Sequence, residues 1–292
     1  MLSPVEARQL DRLAFGASSV APADTASGAR VARARGFGLE FREFRRYEPG
    51  DDPRAIDWMI HARLRQLVVR VYRADAHLRV HLLVDTSASM ATGTPSKLTA
   101  ARTLAAVLSY VAVRRQETVG ISNFDATIRG HVASSSGRTQ LLRIFEWLNR
   151  TAAHGRSSVN RALADYGATV HGPGLAIVIS DFYEAAGSFE GLRYLLHRGL
   201  TPVVAQVVAP QELDPQVAGE LELRDAEDPE APPIIVDSTS MAAYHDRMAA
   251  LAVALSAFCL GHGLPYLRVD SSFGFDRLVG VCIDAGVLAG AA

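Results

Sequence analysis

The stretch RVHLLVDTSASM, from Arg79 to Met90, decides the fold class of this chain. It begins as an apolar run of strand length, and Asp85, Ser87 and Ser89 follow the run directly. An apolar strand that ends in polar side chains is typical of a parallel sheet, whose ligand sites lie beyond the carboxyl ends of its strands. The stretch therefore predicts a buried strand with a polar loop at its carboxyl end.

The sequence that follows this stretch alternates between strand patterns and helical patterns. Strands are predicted at residues 79–84, 118–123, 176–180, 202–208 and 265–269, and helices at 97–114, 140–149, 159–170, 189–197 and 241–260. Fully apolar strands separated by helices favour a parallel sheet that is covered on both faces. The predicted fold class is therefore α/β, with a doubly wound, mostly parallel sheet.

The first part of the chain has a different pattern. A short helix, a connector of small residues (16–35) and two strand patterns (37–47 and 67–72) precede the alternating region. We therefore expect residues 1–75 to form an N-terminal helix, a connector and a small β-rich unit, and residues 76–292 to form the main α/β domain.

One segment interrupts the alternation of the main domain. From Gln211 to Ser238 there are nine acidic residues and one basic residue, together with several prolines. This composition predicts an exposed acidic insertion at residues 211–238, with a hairpin formed by residues 221–223 and 234–236. A solvated loop and a surface for a partner protein are both compatible with it.

Composition and charge exclude several classes of protein. The 292 residues are 49% hydrophobic and 21% charged, which is typical of a folded globular protein. The net charge is −1 and the basic residues are 29 Arg and one Lys, without a zinc-finger or RNA-binding motif, so we expect no nucleic-acid partner. There is no signal-peptide pattern, and the two cysteines read as buried free thiols, so we expect no membrane insertion and a cytoplasmic location.

The oxygen atoms in the loop after the first apolar strand suit a divalent metal. A carboxylate and two hydroxyls are hard ligands of the kind that Mg²⁺ or Mn²⁺ prefers, with waters completing the coordination. The same side chains could instead cap a helix, which is a common role for Asp and Ser. Two distant features favour the metal: the hydroxyls in GRSSVNRAL (Gly155 to Leu163), and Asp181 directly after the apolar strand AIVIS.

These residues resemble the metal-ion-dependent adhesion site of von Willebrand factor A domains. That family has Asp-x-Ser-x-Ser after its first strand, a Thr in a Gly-Gly-Thr-Asp-like loop, and an Asp after its fourth strand. The resemblance implies a von Willebrand factor A-like fold with a Mg²⁺ or Mn²⁺ site formed by Asp85, Ser87, Ser89, Ser157 and Asp181. Ser157 stands at the position of the Thr, and Arg156 and Ser158 replace the Gly and the Asp beside it.

A second resemblance covers nearly the whole chain. The stretches GLEFREFRRYEPGDDPRAIDW (residues 38–58), HLLVDTSASM (81–90) and ISDF (179–182) are similar to the family numbered fifty-eight among the domains of unknown function. That family is bacterial and archaeal, carries a von Willebrand factor A-like domain, and is typically encoded beside MoxR-type AAA+ ATPases. The resemblance implies a MoxR-type AAA+ ATPase as partner, with this chain as its adaptor or chaperone-like cofactor for an unidentified client protein.

Two functions of different classes remain open at this point. In the first, the chain is a protein-binding module and not an enzyme, and its metal accepts a carboxylate from a partner. In the second, the same metal activates water or polarises a phosphate, as in a phosphatase or esterase. The second function needs a positioned general base, for which Asp181 is the only obvious candidate. A P-loop motif and a nucleophile-elbow motif are both absent from the sequence, which excludes those two chemistries.

Three further predictions concern residues outside the proposed site. Trp58 is expected to be a buried core anchor, because aromatic side chains bury large areas. Asp51 and Asp52 lie in a turn and are expected to form local ion pairs rather than an acid/base pair. His77 and His81 lie in a strand pattern that separates their side chains, so we do not expect a zinc pair there.

Overall fold

A computed structural model describes residues 3–16, 39–47, 56–74, 77–183, 189–215, 221–223, 225–228, 230–236 and 238–291. The chain divides into two units, a larger one of Met1–Ala23 with Leu78–Ala292 and a smaller one of Asp24–His77. The N-terminal helix therefore belongs to the larger unit. The domain boundary predicted from the sequence, after residue 75, instead places this helix with the β-rich segment. The predicted connector beyond Gly16, and the turn that carries Asp51 and Asp52, lie outside the described residues.

Strands and helices alternate along most of the described chain. The strands are β1 (Leu13–Phe15), β2 (Leu39–Arg46), β3 (Val68–Ala74), β4 (Arg79–Asp85), β5 (Thr118–Phe124), β6 (Ile128–Ser135), β7 (Gly174–Ser180), β8 (Leu200–Val208), β9 (Leu221–Leu223), β10 (Ile234–Val236), β11 (Tyr266–Asp270) and β12 (Leu288–Gly290). The helices are α1 (Pro4–Leu10), α2 (Trp58–Leu64), α3 (Lys97–Arg114), α4 (Arg138–Arg150), α5 (Val159–Thr169), α6 (Glu190–His197), α7 (Pro210–Leu213), α8 (Ser238–Gly261) and α9 (Phe275–Asp284).

The larger unit contains a sheet of six strands in the order β11–β8–β7–β4–β5–β6. All neighbouring pairs in it are parallel except that of β5 with the edge strand β6, which is antiparallel. Numbered by their order in the chain, these strands read 3-2-1-4-5-6 from the β6 edge, so the winding direction reverses between β4 and β7. Ligands of such sheets bind beyond the strand ends at this reversal. The predicted doubly wound, mostly parallel α/β sheet is confirmed.

The alternation of side chains along β4 explains why helices cover both faces of the sheet. Successive side chains of a strand point to opposite faces. Val80, Leu82 and Val84 are buried in one cluster with residues of α3, α4 and α9. Leu83 is buried in a second cluster, with residues of α5, α6 and α8. Both faces of the strand are therefore apolar, and its polar chemistry is confined to the carboxyl end at Asp85.

The structure confirms one predicted hairpin and adds several elements that the sequence does not predict. Within the acidic insertion, β9 pairs antiparallel with β10, as the sequence predicts. The edge strand β6 and the helix α9 are not predicted from the sequence. The sequence of β6, IRGHVASS, lacks the apolar run of the inner strands, because an edge strand is covered on one side only.

The prediction that Trp58 is a buried core anchor is wrong. Trp58 is the first residue of α2, and 61% of its surface is exposed. Its neighbour Met59 is also exposed, whereas Asp57, whose carboxylate accepts hydrogen bonds from two backbone N–H groups of the first turn, is buried. The first turn of this helix is therefore anchored by its cap and not by its aromatic ring.

The prediction for the cysteines is confirmed. Cys259 and Cys282 are both buried and free, and burial raises the pKa of each thiol to about 12, which suppresses thiolate chemistry. Among the helices in the described part of the chain, none combines the length and the apolar character needed to cross a bilayer.

Candidate functional site

The loop after β4 gathers oxygen atoms at the carboxyl edge of the sheet. Asp85 is completely buried, and its Oδ1 accepts a hydrogen bond from the backbone N–H of Ser87 at 2.9 Å. The hydroxyl oxygens of Ser87 and Ser89 lie 3.1 Å apart. The backbone N–H of Thr86 donates to the carbonyl of Phe124 at 2.7 Å, which fixes the start of the loop against the neighbouring strand.

A second loop, before α5, brings another hydroxyl to the same place. The hydroxyl of Ser157 donates to Asp85 Oδ2 at 3.4 Å. Gly155 accepts a hydrogen bond from the N–H of Ala88 at 2.9 Å and has a left-handed backbone with φ of 79°. A Cβ atom at this position would lie 2.7 Å from the carboxylate of Asp125, so only glycine allows this approach. The two loops are therefore joined through the backbone.

The end of β7 supplies the second carboxylate. Asp181 is 1% exposed, and the preceding Ser180 donates its hydroxyl to Asp85 Oδ2 at 2.6 Å. The next residue, Phe182, is buried with φ of 61°, a conformation that costs a residue of this size about 1–3 kcal/mol. Its backbone N–H donates to the hydroxyl of Ser180 at 3.0 Å, which helps to hold the strained turn.

A buried cation lies beside this second carboxylate. The Nζ of Lys97 lies 2.7 Å from Asp181 Oδ2 and 2.6 Å from Glu212 Oε1, and the Lys97 side chain is fully buried. The ring of Tyr183 covers the ammonium at 4.3 Å, and the Tyr183 hydroxyl donates to Glu212 Oε2 at 2.8 Å. Lys97 is the first residue of α3, so the start of that helix delivers a positive charge to the site.

Burial shifts the pKa of two acidic groups in this site, Asp85 and Tyr183. Burial, followed by the negative charge of Asp181, raises the pKa of Asp85 to about 7. Burial and then the charge of Glu212 raise the pKa of Tyr183, which keeps that phenol a hydrogen-bond donor. When all four groups are ionised, the carboxylates of Asp85, Asp181 and Glu212 and the ammonium of Lys97 have a combined formal charge of −2.

The acidic insertion reaches the same edge of the sheet. Glu227 Oε2 accepts a hydrogen bond from the backbone N–H of Ser157 at 2.9 Å. The guanidinium of Arg156 lies 3.2 Å from Asp228 Oδ2. Two carboxylates of the insertion therefore contact the loop that carries Ser157.

The structure places all five sequence-predicted residues at one edge of the sheet, but in two subsets. Asp85, Ser87, Ser89 and Ser157 form one hydrogen-bonded group, here called the Asp85 cluster. Asp181 directly follows the neighbouring strand β7 and forms a second group, here called the Lys97 cluster, with Lys97 and Glu212. Sequence reasoning missed Ser180, Lys97, Glu212 and Glu227. One signal was available, since Lys97 is the only lysine of the chain.

The residues present fit a hard divalent cation. Among the described residues, no group of three or more His, Cys, Asp or Glu side chains is arranged to hold a metal, so a cation here would depend on serine hydroxyls as well as carboxylates. Hydroxyl and carboxylate oxygens are ligands of Mg²⁺ and Mn²⁺ rather than of Zn²⁺. Burial raises the pKa of Asp85 because it disfavours the charged carboxylate, and a neighbouring cation would offset that effect.

Two mycobacterial proteins are similar in sequence to this chain. An uncharacterised protein of Mycobacterium tuberculosis and one of Mycobacterium bovis are each 29% identical to it over 197 residues. Each match covers 66% of this chain and 62% of the relative, so the chain spans less than two thirds of those relatives.

Solved structures with a similar arrangement have low sequence identity. BatB from Bacteroides thetaiotaomicron is 16% identical with a TM-score of 0.42, and the match covers 71% of this chain and 96% of that one. An aerotolerance-related membrane protein from Bacteroides fragilis is 17% identical with a TM-score of 0.44, covering 71% and 98%. A von Willebrand factor type A protein from Catenulispora acidiphila is 15% identical with a TM-score of 0.36, covering 49% and 36%.

The match to a protein family covers most of the chain. The family described as "Protein of unknown function DUF58" matches residues 43–252, which include β4, its polar loop, the Ser157 loop and the end of β7. The chain therefore belongs to the DUF58 family, and the matched residues include most of the doubly wound α/β sheet that its sequence predicts.

Proposed function

We propose that this chain is a metal-dependent protein-binding module that acts as an adaptor or chaperone-like partner of a MoxR-type AAA+ ATPase. The observation that carries the proposal is the convergence of the Asp85 cluster at the carboxyl edge of the sheet. This convergence lies where the strand order reverses, which is the usual place for a ligand in an open α/β sheet.

The Asp85 cluster would hold Mg²⁺ or Mn²⁺, with Asp181 beside it. When bound, the ion would supply an electrophilic position for a carboxylate oxygen of a partner protein. The chain itself orients the donors: Ser180 and the Ser87 backbone fix the two oxygens of Asp85 at 2.6 and 2.9 Å. The burial of Asp85 and Ser87 excludes water from the inner side of the site, which strengthens electrostatic interactions there.

The surroundings of Asp181 favour binding over hydrolysis. A general base needs a carboxylate oxygen that is available to the attacking water. Asp181 Oδ2 accepts from the Lys97 ammonium at 2.7 Å, and Oδ1 accepts from the backbone N–H of Tyr183 at 3.2 Å. Both oxygens are engaged, so neither is available to accept a proton from an attacking water, and this carboxylate suits charge balance better than proton abstraction.

The acidic insertion is the neighbouring surface that we assign to the partner. A single open metal position confers little affinity, so additional contacts are needed around it. Glu227 and Asp228 place the insertion against the loop of Ser157, so a protein that contacts the insertion also meets the site. An ATPase face rich in Arg would be attracted to these carboxylates, and salt would weaken the complex.

A pull-down from the native cell tests this proposal. The baits are the wild-type chain, Asp85→Ala and the matched control Asp284→Ala, which removes an exposed carboxylate at the end of α9. Each bait is used with Mg²⁺ and with a chelator. We expect wild type and Asp284→Ala to recover a MoxR-type AAA+ ATPase with Mg²⁺ only, and Asp85→Ala to recover none.

Two results would contradict the proposal. Equal recovery of the ATPase by all baits, with and without Mg²⁺, would remove the metal from the interaction. Turnover of a phosphate or carboxylate ester by the purified chain, lost in Asp181→Asn, would favour the hydrolase instead.

A further inference from the structure

The one lysine of this chain occupies an unusual place. Lysine is seldom fully buried unless it is paired, yet Lys97 has no exposed side-chain surface and lies between two carboxylates. One of them, Asp181, belongs to the proposed metal site. The other, Glu212, lies on α7, at the start of the acidic insertion.

We propose that the Lys97 ammonium is a built-in competitor of the divalent metal for Asp181, and that Glu212 retains Lys97 when the metal engages Asp181. This inference rests on the proposed function, because it requires a metal at the Asp85 cluster. It adds a residue that sets the affinity of the site, and it links the metal to the acidic insertion.

Competition follows from the charges that share this edge of the sheet. Two cations near the same carboxylate repel each other, and burial strengthens the repulsion because less water screens it. The Lys97 ammonium is 2.7 Å from Asp181, and Ser180, the residue before Asp181, donates its hydroxyl to Asp85 Oδ2 at 2.6 Å. A divalent ion bound beside Asp85 is therefore within the electrostatic range of Lys97, and each cation weakens the hold of the other on Asp181.

Glu212 is positioned to remain the ion-pair partner of Lys97 when the metal engages Asp181. Its Oε1 lies 2.6 Å from Nζ, while its Oε2 accepts from the Tyr183 hydroxyl at 2.8 Å and from the backbone N–H of Ala209 at 3.1 Å. A lysine ammonium has three donors on a flexible stem, so it can release one acceptor and keep another. Metal binding would thus change the pairing of Lys97 without leaving its charge unpaired.

The consequence reaches the partner surface. When Lys97 pairs with Glu212 alone, the attraction between α3 and α7 changes, and α7 forms the start of the acidic insertion. The Lys97 cluster therefore couples metal occupancy to the segment that we assign to the partner. Such coupling between two sites is typically 5- to 150-fold in affinity.

A double-mutant cycle tests the proposed roles through Mn²⁺ affinity. The near-isosteric variants Lys97→Met and Glu212→Gln, and the two combined, are compared with wild type by Mn²⁺ paramagnetic resonance. We expect Lys97→Met to bind Mn²⁺ about 10-fold more tightly or better, and Glu212→Gln to bind it at least several-fold more weakly. If Glu212 acts through Lys97, adding Glu212→Gln to Lys97→Met has little further effect; a full effect in both backgrounds overturns that role.

A spectroscopic measurement on the wild-type chain does not depend on the stability of Lys97→Met or Glu212→Gln. Because the chain has one lysine, selective ¹³Cε-lysine labelling gives a single resonance that reports Lys97, provided that any tag is free of lysine. We expect Mg²⁺ to shift this resonance saturably, and not to shift it in Asp85→Ala. A resonance that stays unchanged while Mg²⁺ binds overturns the inference.

The failure of this inference differs from the failure of the proposed function. If Mn²⁺ binds wild type and Lys97→Met equally, and Asp85→Ala abolishes binding, the metal site stands and the competition is wrong. If Mn²⁺ binds Lys97→Met but not wild type, Lys97 outcompetes the metal, which supports the competition and removes the metal from the function of the natural chain. If neither protein binds Mn²⁺, both proposals fail.

Discussion

Asp85 and Asp181 end neighbouring parallel strands and are almost equally buried, yet their surroundings are different. The hydrogen-bond donors that the described structure gives Asp85 are neutral: the Ser87 backbone N–H and the hydroxyls of Ser180 and Ser157. Asp181 instead contacts a buried ammonium at 2.7 Å. Asp85 therefore accepts hydrogen bonds from neutral groups and has no ion-pair partner among the described residues, whereas Asp181 has one.

This difference separates two roles that the sequence motif treats alike. A buried carboxylate surrounded by neutral donors gains most from an added cation, because burial penalises its charged form. A buried carboxylate with its own ammonium is already balanced and gains less. We therefore assign the metal primarily to the Asp85 cluster, and we assign to the Lys97 cluster an effect on the affinity for that metal.

The largest effect on stability is expected from breaking the Lys97 cluster. Lys97→Met leaves Asp181 and Glu212 buried without their common counter-ion, and removing one partner of a buried ion pair typically costs about 3–5 kcal/mol. Urea unfolding in chelator at pH 7 measures this loss, with Asp284→Ala as the exposed control. A loss below about 1 kcal/mol would show that the ammonium is not needed to balance these carboxylates.

A smaller effect, which depends on pH, is expected at Asp85. Its pKa in the folded chain is raised from the ordinary value of 3.8 to about 7, so between these values the folded chain holds this proton more tightly than the unfolded chain does. Its contribution to stability is therefore present at low pH and is lost as the pH rises through this window. Asp85→Asn, which stays neutral, should gain on the order of 1–3 kcal/mol relative to wild type between pH 4 and pH 7 in chelator.

The measurement is the difference in unfolding free energy between wild type and Asp85→Asn as a function of pH. Saturating Mg²⁺ should reduce the gain of the variant, because the ion offsets the charge of Asp85 in wild type only. A difference that does not change with pH would show that the neutral donors around Asp85 suffice to keep it ionised.

The smallest effect is expected at Trp58, which belongs to neither cluster. Because 61% of its surface is exposed, Trp58→Ala should change the free energy of unfolding by about 0.5 kcal/mol or less. Urea unfolding under the conditions used for Lys97→Met provides the comparison. A loss above 2 kcal/mol would show that Trp58 is buried in solution.

The fold was predictable because strands that are buried on both faces of a sheet consist of continuous apolar residues, which can be recognised in the sequence. β4, β7 and β8 are almost wholly apolar runs, and the doubly wound sheet follows from their alternation with helices. β6 was not predictable in this way, because an edge strand needs no such run. Trp58 was wrongly predicted to be buried, since a large apolar side chain does not by itself indicate which face of a short helix is covered.

The carboxylates of the site were predictable only where they follow strand ends. Asp85 and Asp181 are placed by the rule that parallel strands end at one edge of a sheet. Lys97 and Glu212 are 115 residues apart and meet because α3 and α7 both start at that edge. No local pattern encodes such a meeting, although a single lysine among 30 basic residues was a signal that could have been followed.

The binding of Mn²⁺ to wild type and Asp85→Ala, followed by paramagnetic resonance in parallel titrations, tests the metal site most directly. We expect wild type to bind one Mn²⁺ per chain saturably, and Mg²⁺ to displace it. Asp85→Ala should bind at least about 10-fold more weakly while keeping the unfolding transition of a folded protein. Equal binding of Mn²⁺ by the two proteins would show that the oxygen atoms gathered at the end of β4 do not hold a metal.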